Sequence, residues 1–103
     1  MNGIDHERNR IEQIRWIALD AISHGRPYTV PENLMLSAIQ SAPVQCTALE
    51  LRRELDYLFE RGLVELKRPE GALWTAKLTR DGIDVHDYTK DVEPGIARPK
   101  KYW

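Results

Sequence analysis

The segment from Thr47 to Gly62 limits the fold of this chain more than any other stretch. Thr47 and Glu50 have the spacing of a Thr-x-x-Glu capping box, and Gly62 stands where a helix commonly ends. At about 100° per residue, the apolar positions between them fall within one narrow arc. These positions are Ala48, Leu51, Leu55 and Leu58. The segment therefore predicts an amphipathic helix that buries one face against a core.

A longer helix is predicted near the start of the chain, from about Asp5 to His24. Asp5 is the predicted N-cap, apolar residues recur at helical spacing, and Gly25 follows as a C-terminal stop. Trp16 and Leu19 widen the apolar surface beyond a single stripe. We therefore expect this helix to be buried on more than one side, one of them against a partner subunit.

A further helix is predicted between these two. Residues 26–30 form a short β-rich stretch, and Thr29 with Glu32 has the spacing of a second capping box. The helix then extends to about Ala42, and Pro43 ends it. Its predicted core face consists of Leu34, Met35, Ala38 and Ile39.

The sequence after Gly62 changes its period from that of a helix to that of strands. Residues 63–67 and 72–78 alternate between apolar and polar side chains, and residues 68–71 contain Pro and Gly. This pattern predicts a two-stranded β-hairpin. Thr79 can then cap a short helical piece that ends at about Tyr88, although Gly82 weakens it.

The order of these elements predicts a mainly α fold with a small β-hairpin, namely a winged helix-turn-helix. Residues 43–46 would form the turn between the second and third helices, and the hairpin would be the wing. A chain of 103 residues supports one such domain with one core. We assign residues 1–89 to the domain and residues 90–103 to an extended C-terminal tail, because two prolines and a glycine disfavour a helix there.

Two motifs in the second half of the chain carry a family resemblance. Residues 47–65, with their leucine pair, charged dipeptide and Gly-Leu-Val at 62–64, resemble the recognition-helix-to-wing junction of ArsR/MarR-like regulators. Residues 76–82 resemble the Leu-Thr-x-x-Gly element that closes the wing in those families. Together with residues 93–99, the chain is similar to small winged-helix proteins of Mu-like phages and prophages.

The resemblance covers residues 5–99 and implies a cytoplasmic DNA-binding regulator, although winged helices also serve as protein-interaction modules. The chain departs from the metal-sensing members because it lacks their cysteine pair on the recognition helix. Metal sensing is therefore not carried over to this chain.

The net charge of −1, from 15 Lys+Arg and 16 Asp+Glu, means that any surface attractive to nucleic acid must be local. Residues 31–62 carry three basic and five acidic groups, whereas residues 63–78 carry three basic and two acidic groups. The wing is therefore the segment that we expect to contact phosphate.

In the DNA-binding interpretation, the start of the third helix enters the major groove and side chains off its core face reach the base edges. Arg53 could pair with guanine, Gln45 with adenine, and Glu50 could accept from cytosine. The predicted DNA contacts on or next to this helix are Gln45, Thr47, Leu49, Glu50, Arg52, Arg53 and Tyr57. Those on the wing are Lys67, Arg68 and Lys77. The predicted partner is double-stranded DNA.

The alternative is an ordinary solvated helix surface, because Glu50, Glu54, Asp56 and Glu60 would repel phosphate. A protein-interaction module would then be the function. Apolar residues off the core arcs predict a homodimer or partner interface. These residues are Trp16, Leu19, Leu36, Leu49 and Trp103.

The sequence offers no arrangement of nucleophile and base, so we predict that the protein is not an enzyme. His6, His24 and His86 are scattered, and residues 84–87 are more typical of a solvent-facing stretch than of a metal site. Cys46 is the single cysteine of the chain, so an intramolecular disulfide is excluded. Its position before a helix is compatible with either a lowered thiol pKa or a small, partly buried packing residue. We predict no cofactor, no metal and no membrane partner, and a cytoplasmic location.

Overall fold

The computed structural model describes residues 3–101, which form four helices and a three-stranded antiparallel sheet. The helices are α1 (Gly3–His24), α2 (Glu32–Ser41), α3 (Ala48–Glu60) and α4 (Arg80–His86). The strands are β1 (Val30–Pro31), β2 (Val64–Lys67) and β3 (Thr75–Leu78). The prediction of a mainly α fold with a small antiparallel sheet is therefore confirmed.

The sheet has the strand order β1-β3-β2, so the predicted hairpin is its larger part. Val64 pairs with Leu78 and Leu66 with Ala76, and these side chains point towards the core. Val30 pairs with Ala76 from the other side and adds the two-residue strand β1. Both hairpin strands are shorter than predicted, and residues 68–74 connect them.

The core lies between α1, α2, α3 and the inner face of the sheet. Its fully buried large side chains come from the three helices and from β2. They are Ile14, Leu19, Ile22, Met35, Ile39, Leu51, Leu55, Leu58 and Val64. Leu19 is completely buried, so the prediction that it faces a partner is wrong. It packs with its own core because α1 is covered on more than one side by the same chain.

Helix starts were predicted with mixed success. The Thr47–Glu50 capping box is confirmed, with both reciprocal bonds at 3.1 Å. The Thr29–Glu32 box is wrong, because Pro31 is the N-cap of α2 and the Glu32 carboxylate bonds to residues distant in sequence. α1 begins at Gly3, so Asp5 lies inside the helix and not at its cap.

The predicted core faces of α2 and α3 need correction at single positions. Leu34 is 56% exposed, whereas Leu36 packs partly buried against the core. In α3, Ala48 is exposed, and Glu54 takes a buried position near Leu51 and Leu55. These shifts follow from how the helices pack on each other, which apolar periodicity alone does not define.

Gly82 is a packing position where α4 crosses the hairpin. A Cβ on Gly82 would lie 2.0 Å from the Leu63 carbonyl oxygen. The Thr79 N–H donates to the same oxygen at 3.0 Å, and the Thr79 hydroxyl donates to the Gly62 carbonyl at 2.6 Å. The Gly-Leu-Val and Leu-Thr-x-x-Gly elements therefore meet, and the lack of a side chain at Gly82 lets α4 approach closely.

The chain after α4 folds back on the helices. Ile96 is buried, the Arg15 guanidinium donates to the Gly95 carbonyl at 2.9 Å, and the Ala97 N–H donates to the Glu12 carbonyl at 3.1 Å. Arg98 adds bonds to two further carbonyls. Up to residue 101 this segment is thus attached to α1 and α4. The predicted interface residue Trp103 lies outside the described residues.

Within residues 3–101, no helix has both the length and the apolar composition needed to cross a membrane. The longest helix, α1, carries charged residues throughout its 22 positions.

Candidate nucleic-acid interface

Ion pairs and hydrogen bonds hold the N-terminal end and the two flanks of α3, and a strip between the flanks remains exposed. The capping box at Thr47 fixes where the helix starts, and the buried residues 51, 54, 55 and 58 fix which side faces the core. Leu49 and Arg53 lie on the opposite side and are exposed. This strip is the part of α3 that a macromolecule can reach.

The flank of α3 that faces α1 is held by two arginines. Arg10 donates to Glu50 at 2.6 Å, and Arg15 donates to the buried Glu54 at 2.8 Å. The Arg10 guanidinium, together with the Thr47 N–H, holds the pKa of Glu50 below its usual value. Tyr57, predicted as a DNA contact, is half-buried here with the Arg15 guanidinium 3.5 Å from its ring centre.

The flank that faces the sheet is held by pairs of the same kind. Arg52 donates two bonds to the buried Glu32, at 2.9 and 2.6 Å, and its guanidinium lies 4.8 Å from the Trp74 ring centre. Arg68 donates to Asp56 at 3.1 Å and lies 4.9 Å from the ring centre of Phe59. These contacts join the hairpin to the side of α3.

The charges of α3 are therefore largely neutralised by residues from other elements. Glu50, Glu54 and Asp56 each have an arginine partner, which weakens the objection that this helix repels phosphate. Among the described residues, Glu60 has no such partner.

Several predicted DNA-contact residues form hydrogen bonds or ion pairs within the chain. Arg52 and Arg68 are paired, the Thr47 hydroxyl accepts from the Glu50 N–H, and the Glu50 carboxylate bonds to Arg10. The Glu50 carboxylate, predicted to accept from cytosine, thus already accepts from the Thr47 N–H and from Arg10 within the chain.

The side chains of three predicted cations have no hydrogen bond or ion pair with any of residues 3–101, namely those of Arg53, Lys67 and Lys77. Lys67 and Lys77 are exposed on the outer face of the hairpin, where Lys77 stands opposite Glu65 in the register. Gln45 is exposed before α3, and its backbone carbonyl accepts from Arg10 at 2.8 Å. The structure thus separates cations available to a ligand from those used in the fold.

The predicted partner surface on α1 is largely occupied by the chain itself. Trp16 stacks on His86, with ring centres 5.4 Å apart, and meets Tyr88 edge-on. Trp16, predicted to face another subunit, is thus half-buried against its own chain. Leu49 is 70% exposed, and Leu73 in the hairpin loop is 48% exposed.

Sequence reasoning missed Arg10, Arg15 and Glu32, which hold α3 in place. Their partners lie between 20 and 40 residues away, so no local spacing identifies them. Glu32 did carry a signal, its Thr-x-x-Glu spacing from Thr29, but that signal indicates a local cap.

Cys46 lies beside the same helix start and is buried. Burial raises the pKa of the Cys46 thiol to about 11, with Glu50 adding to the effect, so the alternative of a lowered thiol pKa is wrong. Around the predicted residues 84–87, His86 bonds to Asp20 and Asp87 at 2.8 Å each. The described part of the chain contains no cluster of three or more His, Cys, Asp or Glu placed to hold a metal.

Comparison with protein-family models, curated proteins and solved structures gives no match to this chain. The most distinctive surface of the described residues is an exposed strip on α3, held on both flanks, beside a hairpin with two exposed lysines.

Proposed function

We propose that the protein is a winged-helix DNA-binding protein of phage or prophage origin that regulates transcription as a homodimer in the cytoplasm. In this proposal α2 and α3 form the helix-turn-helix, α3 enters the major groove, and the β2–β3 hairpin is the wing. The order of the elements and the antiparallel hairpin after α3 support the fold assignment.

The observation that carries the proposal is the position of the unpaired cations. Arg53 is exposed on the outer strip of α3, and Lys67 and Lys77 are exposed on the adjoining hairpin. Guanidinium groups on a groove-reading helix bind guanine, and lysines on a wing bind phosphate. Pairing of three α3 carboxylates with arginines lowers the repulsion that DNA would meet.

The proposal is tested by titrating fluorescent DNA duplexes, including a pool of random sequence, with the protein at about 50 and 200 mM salt. We expect binding that weakens as salt increases, because each phosphate contact releases counterions. Absence of binding at the lower salt concentration would overturn the proposal.

Single substitutions then distinguish the two kinds of contact. Arg53→Ala should reduce the preference for the selected sequence, whereas Lys67→Ala should weaken binding to all duplexes and lower the salt dependence by about one counterion. Lys100→Ala is the matched control, because Lys100 is an exposed lysine outside α3 and the hairpin. The preceding Pro99 carbonyl accepts from the Tyr88 hydroxyl, which attaches this part of the chain near the end of α4. The Lys100→Ala variant should leave both affinities unchanged.

A homodimer would have to use a surface other than Leu19, which is buried within one chain. Two copies would place their α3 helices about 34 Å apart on DNA. Sedimentation of the free and DNA-bound protein measures the stoichiometry, and one copy per selected site would exclude this arrangement.

A protein-interaction module is the second candidate, and the exposed Leu49 favours it. Leu49 is 70% exposed and lies one turn from Arg53, and arginine is enriched at protein interfaces. The half-buried Leu36 contributes less to such a surface than predicted. Two results together would favour this function. The protein would bind no DNA at either salt concentration, and it would bind a partner protein that the Leu49→Asp variant no longer binds.

A further inference from the structure

Leu49 and Arg53 lie one helical turn apart on the exposed strip of α3. Leu49 is the most exposed leucine of the described chain at 70%, and Arg53 has no ion pair with residues 3–101. The neighbouring charged positions Glu50 and Arg52 are held in ion pairs with other elements. An aliphatic group and a guanidinium are thus the two side chains that the exposed strip offers to a ligand in the first two turns of α3.

The spacing of this pair matches the spacing of bases in a duplex. Residues four apart on a helix have Cβ atoms about 6 Å apart, and successive base pairs are about 3.4 Å apart. The two side chains can therefore reach base pairs that are about two steps apart. In the major groove an aliphatic group is complementary to the thymine C5-methyl group, and a guanidinium is complementary to the O6 and N7 acceptors of guanine.

We propose that Leu49 and Arg53 form a reading pair that recognises a thymine and a guanine within two base pairs of each other in the bound site. The inference rests on the proposed DNA binding and assigns its specificity. It excludes Glu50 from base contact, because the Glu50 carboxylate bonds to the Thr47 N–H at 3.1 Å and to Arg10 at 2.6 Å. Leu49, a candidate for a protein contact as well, is here assigned to a base.

The test starts from a duplex selected by the full chain from a random pool. Each thymine is replaced in turn by deoxyuridine, which removes only the C5-methyl group, and each guanine by 7-deazaguanine, which removes the N7 acceptor. We expect deoxyuridine at one thymine to weaken binding about fourfold, the value for one buried methyl-sized group. 7-Deazaguanine at one guanine nearby should weaken binding about fivefold or more.

The protein variants connect each base to its residue. Leu49→Ala should bind the thymine and deoxyuridine duplexes equally, and Arg53→Ala should bind the guanine and 7-deazaguanine duplexes equally. Leu34→Ala is the control, because Leu34 is an exposed leucine of α2, 56% exposed, and this variant should keep both sensitivities. Since Leu49 is exposed, its variant should also keep the unfolding midpoint of the parent, which thermal unfolding verifies.

The outcomes separate the reading pair from the function on which it rests. If Leu49→Ala remains as sensitive to deoxyuridine as the parent, or if selection converges on no sequence while DNA still binds, the reading pair is overturned and DNA binding stands. If no duplex binds at low salt, both are overturned. Loss of both sensitivities in their matched variants supports the pair.

Discussion

Glu32 joins three elements of the fold through one buried carboxylate. It is 4% exposed, accepts two bonds from Arg52 of α3, and accepts the Trp74 N–H next to β3 at 2.9 Å. The Arg52 guanidinium is the main cause that lowers the pKa of Glu32, and the Trp74 N–H adds to it. A carboxylate stabilised in the folded state is a source of stability above its unfolded pKa.

We predict that Glu32→Gln lowers the unfolding free energy by about 1 to 2 kcal/mol at neutral pH. The amide oxygen can still accept from Trp74, but it loses the charge that pairs with Arg52. Because the folded pKa is depressed, the contribution is present above the ordinary value of 4.5 and is lost as the pH falls through the folded pKa. Urea unfolding of both proteins at pH values from roughly 3 to 7, a range in which carboxylates become protonated, measures the difference in unfolding free energy.

Glu60→Gln is the matched control for this experiment, because Glu60 is exposed on α3 and has no ion pair with residues 3–101. It should change the unfolding free energy by less than about 0.5 kcal/mol. A difference between Glu32→Gln and its parent that stays constant across the whole pH range would contradict the ionic role of Glu32.

At the scale of elements, the contact between α4 and the hairpin depends on the absence of a side chain. Gly82 is buried in α4, and a Cβ there would meet the Leu63 carbonyl oxygen at 2.0 Å. Helix propensity favours alanine over glycine by about 1 kcal/mol, but a backbone atom cannot move aside as a flexible side chain can. The packing requirement is therefore stronger than the propensity.

We predict that Gly82→Ala destabilises the protein by about 2 kcal/mol, since the added methyl group forces α4 away from β2 and β3. Chemical unfolding monitored by tryptophan fluorescence measures the change. Gly71→Ala is the comparison, because Gly71 has φ +71° and nothing lies within 4 Å of an added Cβ. That variant should cost about 1 kcal/mol, from backbone strain alone. A stabilised Gly82→Ala protein would show that α4 does not sit against Leu63.

At the scale of the whole molecule, elements distant in sequence are joined by arginines and by the C-terminal segment. Arg15 contacts Glu54 of α3, the Tyr57 ring and the Gly95 carbonyl, so it links α1, α3 and the segment after α4. Ile96 in that segment is 8% exposed and belongs to the core. Acidic and basic residues are nearly equal in number, 16 against 15, and several of them are paired across elements distant in sequence.

We predict that Ile96→Ala lowers the unfolding free energy by about 2 kcal/mol or more, because it removes a buried side chain from the junction of the segment with the core. Urea unfolding provides the measurement, with Lys100→Ala in the same segment as a surface control that should change little. Equal stability of Ile96→Ala and the parent would indicate that the segment is an unattached tail.

The sequence predicted the elements whose signals are local. The Thr47–Glu50 box lies where it was expected, and the alternating strands pair antiparallel as a hairpin. The same kind of signal failed at Thr29 and Glu32, because an arginine 20 residues away competes successfully for the carboxylate. Leu19 and Trp16 differ from expectation for a related reason, since Leu19 belongs to the core of its own chain and His86 of α4 with Tyr88 covers part of Trp16.

The candidate site shows the same division between local and distant causes. Arg52 and Arg53 are adjacent and chemically identical, and the sequence assigns both to DNA contact because each lies off the apolar arc of one helix. A step of about 100° turns Arg52 towards Glu32 and leaves Arg53 on the exposed strip. The order and period of the elements depend largely on neighbouring residues, so the sequence predicts them, whereas the cap expected at Thr29 is lost because Glu32 pairs with a distant arginine. Which charges remain available to a ligand depends on which elements meet, and only the tertiary structure decides that.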